Sequence, residues 1–228
     1  YAVAPRLTVP LGGRNATLEG VRGEDNVRTN SIYYYGGESI GAYPVDYANA
    51  LSAVEARAEG PLLALPGGTI RVATGGGYRI VELDGLRQSV LSGVTTTLAR
   101  FHGKRRTAYG FGELFVPLVG PDNARPGVRR LDLTLAGRAE HDAETGSVFT
   151  PKIGLTYEPV PGVSIQGSWG RSFKEPTLFQ LATPATVTLS RASTFASGYP
   201  ATATVLVRNG GNPDLKPERA RIWTTTIR

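Results

Sequence analysis

What most constrains this chain is an alternation of apolar and polar side chains, two residues in period, held over long runs. In "RLDLTLAGRAE", Leu131, Leu133, Leu135, Gly137 and Ala139 share one parity, and Arg130, Asp132, Thr134, Ala136, Arg138 and Glu140 share the other. A period of two sends successive side chains to opposite faces of a sheet. "ALSAVEARAEGPLLAL" sets Val54, Ala56, Ala58 and Leu62 against Glu55, Arg57 and Glu59, and "TIRVATGGGYRI" sets Ile70, Val72, Tyr78 and Ile80 against Arg71 and Arg79. In "VSIQGSWGRSF", Val163, Ile165, Trp169 and Phe173 oppose Ser164, Gln166, Ser168 and Ser172. No stretch carries convincing helical periodicity. The expected fold is all-β, an antiparallel meander with strands near 48–65, 69–84, 105–118, 129–142, 149–158 and 163–173.

A half-exposed soluble sheet also alternates. These runs, however, reach about ten residues, the length of a membrane-spanning barrel strand, where soluble strands average about five or six. The connections alternate in length as well. "LPGG" (65–68) and "PVPG" (159–162) are tight turns and "VGPDNARPG" (119–127) is moderate, whereas 85–104 and 174–212 are expected to be long polar loops. Tight turns along one edge and long loops along the other characterise outer-membrane barrels, the tight ones being periplasmic. The turns at 65–68 and 159–162 are therefore expected on the same edge.

Composition removes several other classes. The 228 residues contain no cysteine, so no disulfide framework or thiolate metal site is available. The net charge of +6 comes from scattered Lys and Arg that often neighbour acids, so no nucleic-acid partner is expected. No apolar run is long enough for a membrane-spanning helix, which says nothing against strands. A start at Tyr1, the absence of Met and an end in mid-strand suggest a piece of a longer protein. His141 lies beside Glu140, Asp142 and Glu144 in "AEHDAETG", but without an ordered ligand spacing the segment is taken as a polar loop at a strand end. "TGGGYR" has no Lys-Ser/Thr partner for phosphate, so its glycines are taken to relieve crowding in a strand. No nucleophile elbow is present, and neither an enzyme nor a cofactor is expected.

Near the end, "GNPDLKPE" joins turn residues to two prolines that prevent a helix. It resembles the signature shared by the barrels of TonB-dependent outer-membrane receptors. "PKIGLTYEPVPGVSIQGSWGRSFKEPTL" (151–178), "AYGFGELFVPL" (108–118) and "EGPLLALPGGTIRVATGGGYR" (59–79) resemble the same family's strands and hairpins, so that about residues 48–228 are covered. The resemblance implies a transmembrane barrel of about 22 strands, plugged by an upstream domain. Residues 1–228 would then be a partial barrel domain, an arc of roughly nine strands without the plug and the C-terminal strands. It further implies uptake of a scarce ligand such as a siderophore, cobalamin or carbohydrate, a bacterial outer-membrane location, and TonB with its inner-membrane energising complex as partners. Outer-membrane lipid and lipopolysaccharide would surround it. Within the motif, Gly211, Asn212, Pro213, Asp214, Leu215, Lys216, Pro217 and Glu218 would carry the chain from a long surface loop into a strand.

Tyr33, Tyr34 and Tyr35 form the most prominent aromatic run, a candidate ligand-contact loop if not an aromatic girdle or strand extension. Trp169 and Phe173 have girdle character, and Arg171, of the same outward parity, must lie beyond the hydrocarbon, where it meets anionic headgroups. Arg57, Arg71, Arg79 and Arg138 are expected to line the lumen with Glu55, Glu59, Glu113 and Asp132 as a satisfied charge network. Two alternatives remain at this stage. One is a passive pore or surface-binding barrel. The other is a soluble all-β module, in which the Leu131, Leu133 and Leu135 face would pack on a second sheet.

Overall fold

Strand pairing fixes the architecture, and a computed structural model describes it for all of residues 1–228. The strands run β1 (Ala2–Val3), β2 (Arg6–Leu11), β3 (Arg14–Tyr35), β4 (Glu38–Leu65), β5 (Gly68–Leu91), β6 (Val94–Val119), β7 (Arg130–Asp142), β8 (Gly146–Glu158) and β9 (Ile165–Lys174). A short helix, α1 (Leu178–Ala182), and a hairpin of β10 (Thr186–Arg191) and β11 (Thr204–Asn209) precede β12 (Glu218–Ile227). From β3 to β9 each strand pairs with the next, β12 adds beyond β9, and β1 and β2 share the other edge of β3, giving one open ten-stranded sheet. Of 146 backbone hydrogen bonds, 128 lie within helices and strands, so the ladder absorbs most of the main-chain polarity.

The expected meander is present. Connections at 12–13, 66–67, 120–129 and 159–164 lie along one edge, and those at 36–37, 92–93, 143–145 and 175–217 along the other. "LPGG" and "PVPG" thus share an edge. Residues 85–104, in contrast, are not a loop. β5 and β6 continue through them to a two-residue turn at Ser92-Gly93, with φ of 48° and 77°, that closes Leu91 against Val94. Positive φ at both central residues matches the right-handed twist of the flanking strands. Residues 174–212 are likewise built rather than simply polar loop, with α1 and the β10–β11 hairpin inside them. Two of the four register shifts fall at Pro61/Leu63 and Pro117/Val119, where proline cannot donate to the ladder. At the first, Leu62 is the unpaired residue and Leu63, not Leu62, takes the position opposite Ile70.

Cross-strand partners share a face. One row runs Gly60, Val72, Leu114, Leu135, Ile153, Trp169, Trp223 across seven strands. The same face carries Val54, Ile70, Leu131, Leu133, Leu155 and Ile165. The opposite, inner face carries Arg57, Arg71, Arg79, Asp132 and Arg138. Burial is inverted relative to a soluble sheet. Ile153 and Leu155 are 45% and 44% exposed, whereas Asp132 and Asp142 on the inner face are 5% and 1% exposed. The only other sheet is the two-stranded β10–β11 hairpin, so no second layer covers the leucines, against the soluble-module alternative.

β4, β5 and β6 have 28, 24 and 26 residues, about 80–90 Å each at about 3.3 Å per residue and far more than a bilayer requires. Toward the edge with the long excursion their outer face turns from apolar to charged. There Arg22 pairs with Glu24, Arg28 with Asp46 at 2.6 Å, Lys104 with Glu82 at 2.5 Å, and His102 lies 2.8 Å from Asp84. The apolar band below is the part suited to hydrocarbon, and the charged extension stands outside it.

Placing an arginine on the lipid face costs about 2–4 kcal/mol at the midplane, against little on the lumen face. Leu133→Arg in the full-length protein is therefore expected to reduce the heat-modifiable, folded fraction in outer membranes, while Thr134→Arg leaves it near wild type. Equal tolerance would contradict the assignment of faces.

Candidate functional site

The inner face gathers charge from four strands. Glu55 on β4 accepts a hydrogen bond from the Tyr109 hydroxyl on β6 at 2.8 Å, and the Arg138 guanidinium from β7 lies 4.1 Å from the Tyr109 ring centre. Arg138 Nε donates to Glu140 at 2.5 Å, and Glu140 also takes Arg79 from β5 at 3.4 Å. Close approach here requires glycine, since a Cβ on Gly77 would lie 2.7 Å from the Tyr109 hydroxyl. This bears out the crowding role expected for "TGGGYR". Nearer the tight-turn edge, Arg130 bridges Asp132 at 2.5 Å and Glu158 at 3.5 Å.

Above the network the inner face becomes apolar. Leu83, Phe101 and Leu178 of α1 are buried together, with Tyr47, Val81 and Ala182 packed around them. Gly85 leaves room for Phe101, whose Cζ would be 2.0 Å from an added Cβ. α1 begins at Thr177, which accepts from the Gln180 amide at 3.2 Å while Gln180 Oε1 accepts from the Thr177 amide at 2.9 Å. Such a capping box satisfies two orphan amides of a helix start. Its far end is tied by the "GN" of the family-like motif: the Gly211 and Asn212 amides donate to Thr183 O at 2.8 Å and Gln180 O at 2.7 Å. A Cβ on Gly211 would meet Leu181 O at 2.8 Å, so only glycine fits.

Arg105 holds this segment to the wall. Its side chain is 8% exposed and reaches Glu175 at 3.3 Å, Asp142 at 3.8 Å and the carbonyl of Pro176 at 2.8 Å. Asp142 Oδ1 in turn accepts from the Glu144 and Thr145 amides, closing the β7–β8 turn. Burial pushes the Glu175 carboxyl above the usual carboxylate range; Arg105 pulls it back, and the Asp142 and Glu140 carboxylates add to the rise. Between α1 and the wall lies a cleft of about 820 Å³, lined by Tyr47, Arg79, Arg105, Glu175 and Phe179 among others.

Of the residues singled out from sequence, Glu55, Arg79, Asp132 and Arg138 have partners on the inner face. Arg57, Glu59, Arg71 and Glu113 face the same way by register but form no ion pair. Tyr33, Tyr34 and Tyr35 end β3 at the turn to β4, far above the apolar band, with Tyr33 edge-on to Tyr43 at 5.0 Å. Residues 211–218 span the return from α1 and the β10–β11 hairpin into β12. Sequence reading missed Arg105, Tyr109, Glu140, Asp142 and Glu175. The first four share the inner parity of their strands, a signal that was present. Asp142 is the end of β7 and not part of a polar loop, and His141 turns to the outer face opposite Ser147. No group of three or more acidic, His or Cys side chains is arranged to hold a metal ion.

A sequence model of the family described as "TonB dependent receptor-like, beta-barrel" matches residues 7–228. Among solved structures, one described as "Structure of the RagAB peptide transporter" superposes with a TM-score of 0.60 at 15% identity, covering 96% of this chain. The chain spans 26% of the length of that neighbour, a likeness of fold. No match was found among curated proteins.

The raised Glu175 pKa sets a sign for pH. Docking of 175–183 favours the protonated carboxyl, so that contribution is fully present below the ordinary carboxylate range and is lost as pH rises through the raised value. Hydrogen exchange of the α1 amides in the full-length protein, corrected for intrinsic rates, is expected to be slower at pH 5 than at pH 8. Glu175→Gln should keep the segment docked and flatten that difference; slower exchange at the higher pH in wild type would contradict it.

Proposed function

The chain belongs to the β-barrel family of TonB-dependent receptors, and on that premise we propose that it forms part of the wall of an energy-coupled receptor that imports a scarce ligand. Its location is the bacterial outer membrane. Residues 1–228 supply an arc of the barrel domain, and the plug and the remaining strands belong to a longer protein. The observation that carries this reading is the pairing of an apolar, uncovered outer face with an inner face of buried ion pairs onto which an outer-edge segment folds.

The role is binding and transport rather than catalysis. On the inner face Arg79 and Arg138 are engaged with Glu140, and Arg105 with Asp142 and Glu175. Siderophore, cobalamin and carbohydrate are the ligand classes proposed, and the peptide named for the RagAB neighbour joins them. The cleft beside α1 mixes aromatic rings with Arg79, Arg105 and Glu175, which suits a ligand with both apolar and ionised parts. TonB and its inner-membrane complex would act through the plug side of the longer protein.

Cells carrying the full-length gene, with and without TonB, separate this proposal from a pore. Growth on each defined ligand as sole source identifies the cargo, and uptake of it is expected to collapse without TonB. Uptake indifferent to TonB would favour the passive barrel.

A further inference from the structure

The outer face of β9 and β12 differs in charge from that of β3 to β6. On the latter, Arg22, Arg28, Lys104 and His102 each have a carboxylate beside them, Arg100 and Arg106 stand opposite Leu86 and Ile80, and Arg14 at the start of β3 donates to Pro61 O. On the former, Arg171 lies directly opposite Arg221, and Arg219 is one outward step further up, opposite Phe173. None of the three has an ion-pair partner. No outward position on β7, β8, β9 or β12 is acidic. Like charges directly opposite are destabilising in a sheet, and a guanidinium cannot relieve the repulsion by losing its proton. The compensating negative charge must come from outside these strands.

Height on the wall says what can bring it. β9 runs from the tight-turn edge toward the long excursion, so Arg171 lies on the outer side of Trp169. Trp169 and Trp223 pair across the strands with ring centres 6.0 Å apart, and Ile165 and Ile227 lie below them. Tryptophans of this kind sit at the headgroup level, with hydrocarbon beneath. Phe149 and Phe173 flank the arginines, and together with Ser147 they line an open cleft of about 390 Å³.

We propose that Arg171, Arg219 and Arg221 form a site for a phosphate group of an anionic outer-leaflet lipid headgroup, the Trp169–Trp223 pair packing on its acyl region. The forked donors of arginine match phosphate oxygens. The site rests on the barrel reading above, which places this face in lipid.

The full-length protein, reconstituted in phosphatidylcholine nanodiscs doped with acyl-brominated lipid, tests it through quenching of tryptophan fluorescence. Subtracting a Trp169→Phe/Trp223→Phe variant isolates the pair. Brominated phosphatidic acid is expected to quench the pair more than equal brominated phosphatidylcholine, with an enrichment of about fivefold for each arginine engaged. Arg171→Gln/Arg219→Gln/Arg221→Gln should bring the two lipids level while heat-modifiable migration stays normal. Arg219→Gln alone should remove about one such fivefold factor, so the result does not hang on assembly of the triple variant. Equal quenching by the two lipids in wild type, as when a neighbouring strand supplies a carboxylate, would overturn the site. So would enrichment that survives the triple variant, or that millimolar inorganic phosphate abolishes, which marks a free-anion site. Absence of quenching by either lipid would overturn the barrel reading itself.

Discussion

A peptide group in hydrocarbon has no water to bond, and leaving one unpaired costs several kcal/mol. The rest of this structure follows from meeting that constraint with strands. Continuous antiparallel pairing satisfies each central strand from both sides, and once the ladder is fixed the period-two geometry allows one face to be apolar while the other stays polar. Pro61 and Pro117 sit at bulges, where the ladder is interrupted and a missing amide donor costs little. The same constraint makes the two open edges of the sheet untenable in lipid unless further strands cover them.

Beyond the apolar band the rule is relaxed, and side-chain polarity changes on both faces. Outside, the strands carry cross-strand ion pairs that water can solvate. Inside, apolar residues return, because Leu83 and Phe101 have α1 to pack against. Arg105 sits where the inner charge network gives way to this small core, tying Asp142 on the wall to Glu175 and Pro176 on the incoming segment. The buried salt bridge is better regarded as fixing the position of that segment than as a source of net stability, since desolvation offsets much of the attraction.

Parity made much of this legible in the sequence. Leu131, Leu133 and Leu135 against Asp132 and Arg138 mark the two faces, and the turn prolines and glycines mark the tight edge. The extent of β5 and β6 was hidden because Ser92 adopts a positive φ usually left to Gly or Asn, and because strands above a membrane lose the apolar face that reveals them. A bulge shifted the outward position from Leu62 to Leu63, a one-residue slip that parity alone cannot detect. The Thr177–Gln180 capping box was visible as a pattern, but a five-residue helix has too little periodicity to be recognised. Asp142 and Glu175 meet only through the Arg105 side chain, 37 and 70 positions away in sequence, a closeness that no local pattern encodes.

The central claim is that the outer face of this sheet meets hydrocarbon. With no cysteine in these 228 residues, nitroxide labels can be introduced singly along β7 from Leu131 to Ala139 in the full-length protein, once any cysteines elsewhere in it are removed, and its collision rates measured with oxygen and with a water-soluble nickel chelate. The account predicts a period of two, with oxygen favoured at 131, 133, 135, 137 and 139 and the nickel chelate showing no preference for those positions. Uniform accessibility along the strand, or nickel favoured at the odd positions, would contradict it.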